Sequence, residues 1–286
     1  MLHLATQMLG KTRLALAPPL PNWLNACLFL TSRGFTTGAL PYGSVVVTIG
    51  IDLYDASIVI EVSDGRRATI QLGRERSVAE VWTDFTAALA ELGIDVKLTD
   101  KPQEVADATP FSRNTYDRTF VPEQAQRFHR VLCAIDGAFE EFRSPFYGRS
   151  GVQFWWGSFS FCVLLFSGQR IPAPEDGGLI RRHDLDAEQM NAGFWPGDDG
   201  NPAPMFFAYL VPKPGDSEAA SIQPPPAAWS EAMGEWVLPY DDLRASEDPR
   251  TGIIDFLNSV YRVAITSGGW HAEAHRYEAP PKRPRR

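Results

Sequence analysis

The stretch Val152-Gln153-Phe154-Trp155-Trp156-Gly157-Ser158-Phe159-Ser160-Phe161-Cys162-Val163-Leu164-Leu165-Phe166 decides how this chain folds. Side chains of a strand alternate between two faces, so a half-buried strand is apolar at one parity only. Here Phe154, Trp156 and Cys162 fall on one face, and Trp155, Phe159, Phe161, Val163 and Leu165 on the other. The pattern predicts a central strand over 152–167, covered on both faces by packed core or by an aromatic-lined cavity.

On the N-terminal side, residues 2–16 read as an amphipathic helix, with Leu2, Leu4, Ala5, Met8, Leu9, Thr12 and Ala15 on one side. Pro18, Pro19 and Pro21 stop it. No capping residue precedes it, so the natural start is expected upstream of Met1. Strands are predicted at 23–31, 44–53, 57–62 and 67–72. Ser77-x-x-Glu80 is a capping box that opens a helix ended by Gly93, and a short strand follows at 94–98. Residues 100–121 are polar, proline-bearing and aperiodic, which reads as a linker. Pro122 opens a helix reaching about Phe142, residues 172–204 read as loop, 205–211 and 235–239 as strands, and 251–266 as the last helix.

The halves share an order of helix, strands and helix, and Ala26–Ser32 loosely echoes Phe161–Ser167. The expected fold class is therefore α+β: two similar α–β-meander–α modules, a possible internal duplication packed with pseudo-two-fold symmetry. Residues 1–100 form the first module, 101–121 the linker, 122–270 the second module and 271–286 a disordered basic tail.

The 286 residues are enough to bury roughly 75% of the unfolded surface without staples. Net charge is −8, and four of the last six residues are basic, so an acidic body carries a basic end. That balance argues against a nucleic-acid surface on the folded part and leaves only the tail for such a partner. Cys27, Cys133 and Cys162 sit in apolar segments without a CxxC, which reads as buried reduced thiols. No run approaches the roughly 18 apolar residues of a membrane helix, and Lys11 and Arg13 follow the first apolar run instead of preceding it. The expectation is a cytoplasmic protein with no membrane partner.

Three constellations invite chemistry, each beside a plainer reading. His3, Gln7 and Lys11 recur at every fourth position on the polar side of the first helix, with Arg13 to one side. They could bind and protonate an anion, or form a solvated face. Gly10 and Leu14 on that same side have little use in water, and Gly10 signals a close approach by another group. Arg33, Thr36 and Thr37 lie in a turn that suits a carboxylate or phosphate, or an ordinary hairpin. Phe194 and Trp195 sit in a glycine-bearing loop that reads as a lid over a pocket or a loop pinned to the core. His183, Asp184, Asp186 and Glu188, and His271, Glu273 and His275, lack the spacing of known metal sites, so no metal and no cofactor are expected. GxGxxG, P-loop and GxSxG motifs are missing.

The stretches Leu2–Leu14, Thr31–Gly34, Phe154–Phe159, Phe166–Gly168 and Gly193–Gly197 together resemble a bacterial family of uncharacterised proteins, domain-of-unknown-function family 5996. The resemblance spans nearly the whole chain. It implies a His at the position of Gln153, an Asp at that of Ser160, and members that extend further upstream. It brings no assigned activity and no functional residue.

The leading expectation is a protein that binds a small acidic molecule in an aromatic-lined cleft between the modules. Trp155, Trp156, Phe194 and Trp195 would wall it, with His3, Gln7, Lys11, Arg13, Arg33, Thr36 and Thr37 at its polar end. One alternative is an acid–base enzyme using His3 with Lys11 or Arg33. The other is a protein-interaction module working through Pro224–Pro226 and the tail.

Overall fold

The structure is a computed structural model that describes residues 1–116, 119–175, 179–271 and 277. Helices and antiparallel sheets give the α+β class. The chain divides into two compact units: residues 1–133 with 153–161, and residues 134–152 with 162–286. Nearly all of the tail expected over 271–286 lies outside the described residues, as do Glu273 and His275.

The first unit opens with α1 (Leu2–Leu16). A meander follows: β1 (Phe29–Thr31), β2 (Gly34–Thr36), β3 (Leu40–Tyr42), β4 (Val45–Asp52), β5 (Ser57–Val62) and β6 (Arg67–Gln71). The sheet order is β1-β2-β4-β5-β6, all antiparallel, with β3 also paired to β4. Alternation in β4 places Val47, Ile49 and Ile51 in the core, as the sequence pattern requires. Next comes α2 (Val78–Glu91), whose capping box is complete: Ser77 accepts from the Glu80 N–H, and the Glu80 carboxylate accepts from the Ser77 N–H. It buries Val78, Val81, Trp82, Phe85 and Leu89. The N-terminal part of α3 (Pro122–Arg143) and β7 (Gln153–Trp155) complete this unit.

The second unit contains a sheet in the order β11-β12-β10-β9-β8, built from β8 (Ser160–Arg170), β9 (Ala187–Trp195), β10 (Met205–Val211), β11 (Ala228–Ser230) and β12 (Glu235–Pro239). The C-terminal part of α3, the short α4 (Leu179–Asp184) and α5 (Tyr240–Arg244), and α6 (Pro249–Thr266) belong to it. Its core is aromatic: Phe206 meets Phe139, Phe194 and Tyr240, and Phe146 meets Phe142 and Tyr261.

Several elements differ from the sequence expectation. The run 152–167 is two strands, broken by a turn at 156–159 in which Phe159 takes φ +61°. Residues 187–195, read as loop, form β9 in full register with β10. Residues 94–98 form no strand. Cys133 is exposed, whereas Cys27 and Cys162 are buried. Among the described residues no helix is long and apolar enough to cross a membrane.

Candidate functional site

The first helix departs furthest from a solvated amphipathic helix. Every residue from Leu4 to Arg13 is buried, polar ones included. One side packs on β3, β4 and α2. The polar side is enclosed by the turn after β7 and by the segment that follows α2, so each polar group has to be accommodated inside the first unit.

At its start, the His3 Nε2 lies 3.0 Å from the Trp156 carbonyl oxygen and 2.9 Å from that of Gly157. Two acceptors at one nitrogen require the proton there, which makes Nε2–H the donor and leaves Nδ1 as the acceptor of the neutral ring. Burial holds the imidazole below its ordinary value, against the pull of those two carbonyls toward the protonated form. The ring rests 4.5 Å from that of Phe159.

One turn on, Gln7 donates through Nε2 to the Gln103 carbonyl at 2.8 Å and accepts at Oε1 from the Gln103 N–H at 2.8 Å. Its amide thus pairs both ways with one backbone unit, which fastens the 100–114 segment to the helix. Gly10 follows. A Cβ there would stand 2.1 Å from the Trp156 indole, so the missing side chain is what admits the ring. The indole N–H donates to the Ala26 carbonyl at 2.7 Å, which fixes its plane.

Lys11 lies between two rings. Its Nζ is 5.7 Å from the centre of the Trp156 ring and 5.8 Å from that of Phe111. The residue is 5% exposed, and among the described residues its ammonium makes no hydrogen bond and no ion pair. Desolvation pushes the ammonium down to about 8, and the Asp100 carboxylate opposes this from a distance. Cation–π attraction offsets part of the burial cost, at about 0.5–2 kcal/mol per ring. Glu104, exposed and at φ +52°, lays its carboxylate over Gly157, where a Cβ would stand 2.5 Å from Oε1.

The structure therefore brings His3, Gln7, Lys11 and Trp156 together. Arg13 lies farther along the helix, donating to the Thr37 carbonyl and covering the Phe29 ring at 4.8 Å. Thr37 is spent on the Gly38 carbonyl and the Ile49 N–H, and Thr36 on the Gly38 N–H. Arg33 is half exposed and paired with Asp52 and Asp55. Trp155 keeps a buried indole N–H without a partner among the described residues. Gln153 is buried with its side-chain oxygen unpartnered among the described residues, and Ser160 shares a 2.7 Å hydrogen bond with Ser158. Phe194 and Trp195 belong to β9 of the second unit, where Phe194 is core, its ring 5.4 Å from those of Phe206 and Tyr240 and tilted to both.

The sequence reading missed Asp100, Gln103 and Phe111, because it took their segment for a linker. Phe111 was an available signal, a large apolar ring in a largely polar stretch.

The profile of a family described as a family of unknown function, DUF5996, matches residues 1–277. The chain belongs to this family. The match covers every residue of the Lys11 cluster, so the cluster is part of the DUF5996 domain and not an appendage to it. No curated protein and no solved structure matches the chain.

Proposed function

We propose that this DUF5996 chain binds a small acidic molecule through the Lys11 ammonium. The observation that supports the reading is a buried cation between two aromatic rings with no ion pair among the described residues. A buried charge is costly until a partner of opposite sign compensates it, and Asp100 acts only from beyond ion-pair range. A carboxylate or phosphate arriving at Nζ supplies that partner, and the Trp156 and Phe111 rings supply flat apolar contact for its carbon skeleton. His3 and Gln7 hold the walls: one fixes the Trp156–Gly157 turn, the other the segment carrying Phe111.

The test is a thermal-shift panel of small carboxylates and phosphate monoesters on wild type and Lys11→Met. At ten times Kd a bound anion stabilises by about 1.4 kcal/mol, a rise of about 2–4 °C for a chain of this size. The rise is expected in wild type and not in the variant. A panel that moves both proteins equally, or neither, overturns the reading.

We also infer a diverged duplication as the origin of the fold, supported by an antiparallel meander flanked by helices in each unit. Family profiles of the two halves that fail to align with one another would remove that inference.

A further inference from the structure

We propose that Lys11 is a carbonyl-capturing residue, whose side-chain amine condenses with the ketone or aldehyde carbon of a small oxo acid to form an imine. This deepens the reading of Lys11 as the anchor of an acidic ligand and rests on it. The acid group answers the charge, and the oxo group answers the nucleophile.

The geometry is that of a desolvated amine. The helix carries Lys11 into the interior of the first unit, between the faces of Phe111 and Trp156. No carboxylate of the described residues lies within ion-pair distance to hold its third proton in place. Gly10 lets the indole come in beside the lysine, and the bond from the indole N–H to the Ala26 carbonyl keeps it there. A lysine set in such surroundings is the kind that acts as a nucleophile toward carbonyls. With burial bringing the ammonium to about 8, about a quarter of Lys11 is free amine at pH 7.5. An ordinary lysine at about 10.4 has about one part in a thousand.

The step balances without any further reagent. The amine lone pair adds to the carbonyl carbon, and the oxygen takes the proton shed by nitrogen. The carbinolamine hydroxyl then takes up the proton that the ammonium released and leaves as water as the nitrogen lone pair forms the C=N bond, and the resulting iminium keeps the positive charge that pairs with the acid group. Nothing is oxidised or reduced. The other lysines among the described residues, Lys97, Lys101 and Lys213, are exposed and serve as controls inside the same molecule.

The experiment incubates the full chain with pyruvate, and separately with glyoxylate, in the presence of sodium cyanoborohydride near pH 7.5. Peptide mass spectrometry then locates the reduced adduct. Expected is at least a tenfold preference for Lys11 over Lys97, Lys101 and Lys213. In Lys11→Arg, which keeps the positive charge, the site-specific adduct is expected to vanish while the thermal shift with pyruvate remains. Even labelling of Lys11, Lys97, Lys101 and Lys213, or none at Lys11, overturns the imine. If the oxo acids still stabilise wild type but not Lys11→Met, the imine alone is wrong and the anion anchor stands. If they produce neither shift nor adduct, both readings fall. Selectivity within wild type decides the matter even where a variant fails to fold.

Discussion

Gly10 is a residue at which helix propensity and packing point in opposite directions. Inside a helix, replacing glycine with alanine gains about 1 kcal/mol. Here the added Cβ would stand 2.1–2.3 Å from three atoms of the Trp156 indole. The indole cannot simply swing aside, because its N–H is bonded to Ala26 and its face lies beside Lys11. Overpacking of this severity costs about 1–3 kcal/mol or more, so packing wins. Gly10→Ala is expected to lower stability by about 1 kcal/mol net in urea denaturation, and in a Trp156→Ala background, where the clash is gone, the same change is expected to be neutral or stabilising. A variant at least as stable as wild type shows that the ring is free to leave. The sequence marked this glycine as a point of close approach, because it sits on a polar helix face. It could not say that the approaching group is a side chain from more than 140 positions away.

At the scale of elements, legibility followed local pattern. The capping box of α2 and the alternation of β4 were plain, since both depend on neighbours in the chain. Strand β9 was hidden: Asn191 and Gly193 disfavour strands, Gln189 puts a polar side chain in the run, and the ladder to β10 holds them extended. That ladder sets Asn191 opposite Tyr209, with its side-chain amide donating to the Tyr209 hydroxyl at 2.8 Å. The register of β10 with β12, continued by one residue, brings Glu235 to the other side of Tyr209. A carboxyl in this row is poorly solvated, and burial pushes Glu235 up to about 7. The native state therefore keeps a proton that the unfolded chain loses near 4.5, and stability falls as pH rises from about 4.5 to 7. Glu235→Gln removes the titration. Its unfolding free energy is expected to match wild type near pH 4.5 and to exceed it at pH 8 by about 1 kcal/mol, allowing for partial screening. A gap of equal size at both pH values defeats the assignment.

At the scale of the molecule, the first unit is assembled from two pieces of chain separated by residues 134–152. Composition can mark a linker, but it carries no trace of a strand borrowed from far downstream, because such closure depends on tertiary contact alone. The borrowed piece fills the interior: Phe154 is fully buried, its ring 4.5 Å from Phe35, 5.0 Å from Phe159 and 6.4 Å from Phe128. Its backbone exchanges two hydrogen bonds with Leu28, at 2.8 and 2.9 Å. Burying one such phenylalanine contributes about 1.5–3 kcal/mol. Losing Phe154, Trp156 and Phe159 together therefore removes an amount comparable with the 5–15 kcal/mol that a whole domain retains. A fragment ending at Cys133 is expected to keep helical far-ultraviolet dichroism but to lose near-ultraviolet signal and cooperative melting. A synthetic peptide of residues 150–163 should restore both when added in trans. If the fragment melts cooperatively by itself within a few degrees of the intact chain, Phe154 and its neighbours are dispensable covering, and the Lys11 slot, which takes one wall from Trp156, has to be rebuilt from other residues.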